Sequence, residues 1–169
     1  MALLRALLIV ALGAATAHAH GVRVGDPVPA LSLPDDAGHA VAIGGRRGKV
    51  TCIDFWASWC AHCRTALPAL DAIARRHAAE GLDVLAVGID QDPGAAARFL
   101  AATLPERAIT VLYDRDGAAR ARFALSGMPS LWVVDAEGTV RFAAEGYDPA
   151  TLPDIEREIE RLLTGERER

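Results

Sequence analysis

Two cysteines with two residues between them carry the clearest chemistry in this 169-residue sequence. Cys60 and Cys63 follow the apolar run VTCIDFW, and the chain has one further cysteine, Cys52. Such a pair binds a metal, staples a fold or exchanges disulfides. A structural zinc site draws two further ligands, usually from a second CxxC or an HxxxH pair, and the sequence contains neither. The spacing therefore favours a redox-active pair.

The elements predicted around the pair place Cys60 where a buried strand meets a helix. VTCIDFW is short and rich in β-branched and aromatic residues, which predicts a central strand. Apolar residues then recur at helical spacing, so we expect a helix over about residues 61–80, ended by Gly81. Free backbone N–H groups and the helix dipole stabilise a thiolate at that end, as does His62. The pKa of Cys60 should lie below the ordinary value of about 8.5, and Cys63 is the natural resolving thiol.

A copper site is the alternative use of the same residues. Soft thiolates suit Cu(I), so a site made of Cys60, Cys63 and His62 would make the chain a copper-binding chaperone. Cys52 does not extend that site, because the intervening strand separates it from Cys60 by about 20 Å. We expect Cys52 to be a small buried apolar residue.

Strands and helices alternate through the middle of the chain and a β-hairpin ends the sheet, which predicts an α/β fold with a mixed central sheet flanked by helices. Strands are expected over LDVLAVGID and ITVLY, and the turn at residues 135–138 joins two more. An N-terminal hairpin is predicted around residues 35–38. Further helices are expected over residues 93–104, 118–123 and 152–163.

The composition limits the number of domains and the class of partner. The chain is 51% hydrophobic and 24% charged, which suits one folded domain. Its formal net charge is −4 and its basic residues are scattered along the sequence. We therefore expect no nucleic-acid partner.

The first nineteen residues have the layout of a secretory signal. Arg5 supplies a positive charge, residues 6–15 are apolar, and Ala17-His18-Ala19 is a small-x-small cleavage site. The apolar run is about half the length of a membrane span, which favours a cleaved signal over an uncleaved anchor. We expect a signal peptide over residues 1–19, a domain over residues 20–169, and a periplasmic or other extracytoplasmic location.

Several motifs, in this order, resemble those of a known family. FWASWCxxCR, Pro68, the Gly127-Met128-Pro129 segment and a DxxG hairpin are similar to the TlpA/ResA-like branch of the thioredoxin superfamily. The resemblance covers about residues 25–163. It implies a thioredoxin-like fold with an N-terminal β-hairpin extension, and the activity of an exported thiol-disulfide oxidoreductase.

The resemblance also implies roles for individual residues. Cys60 is similar to the attacking cysteine of the family and Cys63 to the resolving one. Asp54 matches a buried acid that helps to move protons at the second cysteine. A buried carboxylate is otherwise costly, which supports that role.

Contacts with substrates are implied for three more residues. Pro129 is similar to a cis-proline packed against the disulfide, and Met128 beside it would offer backbone contacts to a substrate segment. Trp59, the tryptophan of the WCxxC motif, belongs to the same substrate-binding surface. We expect protein thiols and disulfides as substrates, a membrane thiol as electron donor, no cofactor or metal, and a monomer.

The direction of electron flow is open, because the sequence departs from the family pattern in two places. Ala66 stands where many members have a glutamate, which leaves Asp54 to move protons alone. The resemblance favours a reductase, in cytochrome c maturation or copper-oxidase assembly, whereas His62 is similar to the histidine of DsbA-type thiol oxidases. A peroxiredoxin is disfavoured, since its Thr-x-x-Cys pattern needs threonine where Ala57 stands.

The signal layout predicts that the exported protein begins near His20, because the small-x-small site ends at Ala19. N-terminal mass spectrometry of protein from the cell envelope measures this. Retention of Met1 together with membrane association would contradict cleavage and indicate an anchor.

Overall fold

The structure, a computed structural model, describes residues 21–43 and 48–165. The signal segment expected over residues 1–19 and the start at His20 lie outside the described residues. The strands are β1 Ser32–Pro34, β2 Ala40–Ala42, β3 Val50–Trp56, β4 Leu82–Gly88, β5 Thr110–Tyr113, β6 Ser130–Val134 and β7 Val140–Glu145. The α-helices are α1 Cys63–His77, α2 Pro93–Thr103, α3 Ala118–Phe123 and α4 Leu152–Leu163. The predicted α/β class and the N-terminal hairpin are confirmed.

Five strands form the central sheet in the order β5-β4-β3-β6-β7. Strand β3 lies in the middle, parallel to β4 and antiparallel to β6, and all seven of its residues are buried. Side chains alternate between the two faces of a strand. Cys52 and Trp56 therefore share one face with Asp54, and they pack in the core with α1, α2 and α4. Ile53 and Phe55 point into a second core on the opposite face.

The N-terminal extension covers this second core. Val28, Leu33 and Ile43 are buried there, together with α3 and an aromatic cluster on the sheet. The backbone of the extension is tied to the sheet, since the Val28 amide donates to the Gly138 carbonyl and the Trp132 indole donates to the Val22 carbonyl. The predicted hairpin thus closes the face of the sheet that α1 leaves open.

Helix α1 begins two residues later than predicted. Residues 61–62 form a turn before the helix, so Ala61 and His62 do not lie in its first turn. His62 occupies the N-cap position without a side-chain hydrogen bond to the helix. At the other end α1 stops at His77, and a 3₁₀ turn over Ala78–Glu80 completes the predicted span before left-handed Gly81 ends it.

A buried histidine joins the end of α1 to α4. The Nδ1 and Nε2 atoms of His77 each lie 3.1 Å from a carboxylate oxygen, of Glu80 and Glu156 respectively. Burial works to lower the pKa of His77, but the hydrogen bonds to the two glutamates outweigh it and the pKa is raised.

Within the described ranges, no helix is long and apolar enough to cross a membrane.

Replacing His77 with glutamine should reduce stability most in acid. A raised folded-state pKa means that the protonated ring stabilises the fold below the unfolded value of about 6.5, and that this contribution is lost as the pH rises through the folded value. We expect a loss of about 1 kcal/mol at the acid end. Urea unfolding of both proteins from about pH 5 to about pH 9 measures the difference.

The control variant is His39→Gln, because the His39 side chain is 79% exposed beside Asp35. It should change the free energy of unfolding little at any pH. A His77→Gln effect of constant size across the pH range would contradict an ionic contribution.

Candidate active site

Cys60 and Cys63 form a disulfide at the junction of β3 and α1, with their Cα atoms 5.3 Å apart. Cys63 is the first residue of the helix, and its backbone N–H donates to Cys60 Sγ at 3.2 Å. The helix terminus is therefore aimed at the sulfur of Cys60, as predicted, although the helix starts later. Cys60 is 6% exposed and Cys63 is fully buried, so the two sulfurs differ in their access to other molecules.

The surface beside Cys60 combines aromatic and polar groups. Trp59 is 65% exposed, an unusual position for a large apolar side chain. His62 is exposed on the turn between the cysteines. Arg64 donates to the Ser58 carbonyl at 3.3 Å and lies over the Phe99 ring.

The loop that carries Cys60 is fixed by Asp90. One carboxylate oxygen of Asp90 accepts from the Ser58 N–H at 2.8 Å and the other accepts from the Ser58 hydroxyl at 2.6 Å. Strands β3 and β4 are parallel, so the residues that follow them meet at one edge of the sheet. No motif assigns a role to Ser58 or Asp90, so the sequence analysis did not predict this contact. The pairing of neighbouring strands was the feature that could have indicated it.

The Met128–Pro129 segment lies at the same edge of the sheet. Strand β6 runs antiparallel to β3 with Phe55 opposite Ser130, so β6 begins where β3 ends. The peptide bond between Met128 and Pro129 is cis, which confirms that prediction. Pro129 is buried, and half-buried Met128 packs against the core that contains both cysteines.

A buried acid lies beneath this edge on β3. Asp54 is fully buried, as expected, and Oδ1 accepts a hydrogen bond from the Tyr147 hydroxyl at 2.9 Å. Burial raises the pKa of Asp54 to about 8, and the hydrogen bond from Tyr147 acts in the opposite direction. Asp54 Oδ2 has no hydrogen-bond partner among the described residues. Sequence reasoning missed Tyr147, since no motif marks it.

Cys52 lies one position along the same face of β3, buried and unbonded to another cysteine. Burial and the nearby Asp54 charge both raise the pKa of its thiol well above the ordinary value. The prediction of a small buried residue is confirmed. A thiol that remains protonated is a poor nucleophile, so Cys52 is unsuited to disulfide exchange.

The side chains that lie close enough together to bind a metal ion are not those of the cysteine pair. Within the described part of the chain, His77, Glu156 and Glu160 are close enough to share an ion, and both ring nitrogens of His77 already face carboxylates. Among the described residues, the His62 ring and the two cysteine sulfurs do not form such a cluster, which the copper alternative would need. The geometry at Cys60 and Cys63 suits thiol-disulfide exchange, in which a thiolate attacks a disulfide sulfur.

Comparison with known proteins agrees with this chemistry. The Redoxin family matches residues 23–159. The chain is 26% identical over 144 residues to the thiol-disulfide oxidoreductase ResA of Geobacillus kaustophilus, covering 83% of this chain and 79% of that protein. It is 32% identical over 126 residues to the thiol:disulfide interchange protein DsbE of Allochromatium vinosum, covering 73% and 67%.

A solved structure has the same fold. The crystal structure of a candidate thiol:disulfide interchange protein DsbE from Chlorobium tepidum matches with a TM-score of 0.78 and 33% identity, over 85% of this chain and 99% of that one. The TlpA/ResA-like resemblance and the thioredoxin-like fold are thereby confirmed. The chain belongs to the Redoxin family and is a thiol-disulfide oxidoreductase with a CxxC formed by Cys60 and Cys63.

Proposed function

We propose that this oxidoreductase works outside the cytoplasm as a reductase of protein disulfides. The observation that carries the exchange chemistry is the asymmetry of the pair: Cys60 reaches the surface beside Trp59 and is oriented by the helix terminus, whereas Cys63 is buried. The direction, reduction rather than oxidation, rests on the TlpA/ResA-like resemblance of the motifs. The signal layout supports the location, and the relatives named ResA and DsbE support thiol-disulfide exchange as the reaction. The chain's own substrates are then protein disulfides.

The reaction is a two-step exchange between the pair and a substrate disulfide. The Cys60 thiolate attacks one substrate sulfur, a mixed disulfide forms, and the other substrate sulfur leaves as a thiolate. Cys63 then attacks Cys60, forms the intramolecular disulfide and releases the first substrate sulfur. The substrate disulfide gains two electrons and the pair loses them, so a thiol donor must reduce the pair again.

Asp54 is proposed as the acceptor of the proton that Cys63 loses. Its position on the same face of β3 as Cys52 and Trp56 directs it toward the core that contains Cys63. A carboxyl with a pKa of about 8 is poised to exchange a proton near neutral pH. Burial of the carboxyl in the core is the main cause of the raised pKa.

Trp59, Met128 and Pro129 are proposed to bind the substrate segment. Exposed Trp59 offers an apolar surface next to Cys60, and the cis-proline segment precedes β6 at the same edge of the sheet. The TlpA/ResA-like resemblance of the motifs is the basis for two further proposals: a membrane thiol as the electron donor, and a role in cytochrome c maturation.

Replacing Cys63 with serine should trap substrates. The variant retains the attacking thiol and lacks the resolving one, so mixed disulfides through Cys60 should accumulate. Non-reducing electrophoresis of envelope extracts, followed by mass spectrometry, measures the adducts. The control is Cys52→Ala, which removes the buried third cysteine and should trap nothing.

The same experiment can contradict the assignment of the two cysteines. Adducts that form with Cys60→Ser and not with Cys63→Ser would reverse the roles. In the reduced protein, iodoacetamide should also modify Cys60 before Cys63, because only Cys60 has an exposed fraction above zero.

The equilibrium potential of the pair should be that of a reductant. We expect a value well below the glutathione poise of about −240 mV, measured by equilibration with defined thiol buffers. Replacing His62 with alanine removes a group that favours the thiolate, and should make the potential more negative by about 30 mV. A wild-type potential at or above that of glutathione would contradict the reductase and support a thiol oxidase.

A further inference from the structure

Tyr147 links the two parts of the active site that lie far apart in the sequence. Its side chain is 5% exposed, and its hydroxyl donates to Asp54 Oδ1 at 2.9 Å across 93 residues of chain. Its backbone N–H donates to the carbonyl oxygen of Pro129 at 3.1 Å. One residue thus binds the buried acid through its side chain and the cis-proline segment through its backbone.

The backbone before Tyr147 is held closely against the cis-proline segment. The Gly146 N–H donates to the Ser130 hydroxyl at 3.3 Å, and that hydroxyl donates to the Gly127 carbonyl at 2.9 Å. A Cβ added at Gly127 would lie 3.2 Å from the Gly146 Cα, closer than ordinary side-chain contacts. These contacts fix the position from which the Tyr147 ring reaches Asp54.

Among the described residues, Tyr147 is the one that donates a hydrogen bond to the Asp54 carboxyl. The neighbours of Asp54 in the sheet are Ala86 on β4 and Leu131 on β6, both apolar. Oδ2 is buried and has no partner among the described residues. The hydrogen bond to Oδ1 therefore determines how the carboxyl is oriented and which oxygen remains free.

Other ionisable groups near Asp54 are few. Cys52 shares its face of β3 and interacts with it electrostatically. Cys63 is the first residue of α1, and the buried residues of α4 are the apolar Leu152, Ile155 and Ile159. The other buried ionisable groups of α1 have partners elsewhere, since Asp71 binds the backbone amides of residues 108–109 and His77 faces glutamates.

We propose that Tyr147 is a positioning residue of the exchange reaction, which holds Asp54 by Oδ1 so that Oδ2 takes the proton from Cys63. The inference rests on the proposed proton-acceptor role of Asp54. In the resolving step the Cys63 S–H bond breaks and its proton moves to Oδ2. The Cys63 sulfur bonds to Cys60, the bond from Cys60 to the partner sulfur breaks, and the electron pair leaves on the partner thiolate.

The hydrogen bond from Tyr147 favours the charged form of Asp54, because a hydroxyl donor stabilises a carboxylate. Replacing Tyr147 with phenylalanine should therefore raise the pH at which Asp54 titrates, by about one pH unit. Fewer molecules then carry the acceptor at neutral pH. The resolving step should slow by up to about tenfold there and recover in more alkaline solution.

The test measures the carboxyl and the reaction separately in the full chain. Carbon-13 NMR of labelled aspartate follows the titration of Asp54, with the signal assigned by its loss in Asp54→Asn. Reaction of the reduced protein with dithiobis(nitrobenzoate) releases one thionitrobenzoate when Cys60 attacks and a second when Cys63 resolves the mixed disulfide. The rate of the second release against pH reports the resolving step.

The matched control is Tyr113→Phe. Tyr113 is the other tyrosine of the chain, and its hydroxyl likewise donates to an aspartate, Asp36, at 2.6 Å. It lies on β5 at the edge of the sheet, two strands from β3. Tyr113→Phe should leave both the Asp54 titration and the second release unchanged.

A substitution that keeps the ring distinguishes positioning from packing. In the Tyr113→Phe background Tyr147 is the sole tyrosine, so 3-fluorotyrosine can be incorporated there alone. Its hydroxyl is more acidic and a stronger donor, so Asp54 should titrate at lower pH than in the control, opposite to the effect of Tyr147→Phe. This pair of opposite shifts supports the proposal even where Tyr147→Phe lowers the melting temperature.

Unchanged titration of Asp54 in Tyr147→Phe, or equal pH profiles for the second release, would overturn the inference. A lower melting temperature with unchanged profiles would likewise assign Tyr147 a structural role. The failure of the proposed function looks different: Asp54→Asn would then resolve the mixed disulfide at the wild-type rate. The Asp54 titration in Tyr147→Phe would still decide whether Tyr147 positions the carboxyl.

Discussion

Burial of β3 on both faces is the constraint on which the rest of the structure depends. Helices α1, α2 and α4 cover one face, and α3 with the N-terminal extension covers the other. A strand in this position is hydrogen-bonded on both sides, to β4 and β6, so its path is fixed. Cys60 follows the end of that strand and is thereby placed on a rigid support.

The same sheet brings two separate segments to the loop that carries Cys60. The end of β4 supplies Asp90, which holds the Ser58 loop, because β4 is parallel to β3. The start of β6 supplies the Met128–Pro129 segment, because β6 is antiparallel. Strand directions, rather than proximity in sequence, assemble the surface around Cys60.

The parts of the fold that follow from local pattern could be predicted from sequence. The bounds of β3, α3 and α4 match because apolar spacing and turn residues determine them. The start of α1 was wrong by two residues, because the turn at residues 61–62 is set by the disulfide and by the loop bound to Asp90. Tyr147 was missed because its partner, Asp54, is 93 residues away and only the tertiary fold joins them.

Asp54 is a fully buried carboxyl in the core, where an apolar residue would make the fold more stable. An apolar residue would pack as well between Ala86 and Leu131, whereas a buried carboxyl with one donor costs stability. With a folded-state pKa of about 8, the folded protein keeps a proton that the unfolded chain releases above about pH 4, so stability falls as the pH rises between these values. A buried ionisable group that packing does not require is typical of a functional site, and this observation supports the proton-acceptor role proposed for Asp54.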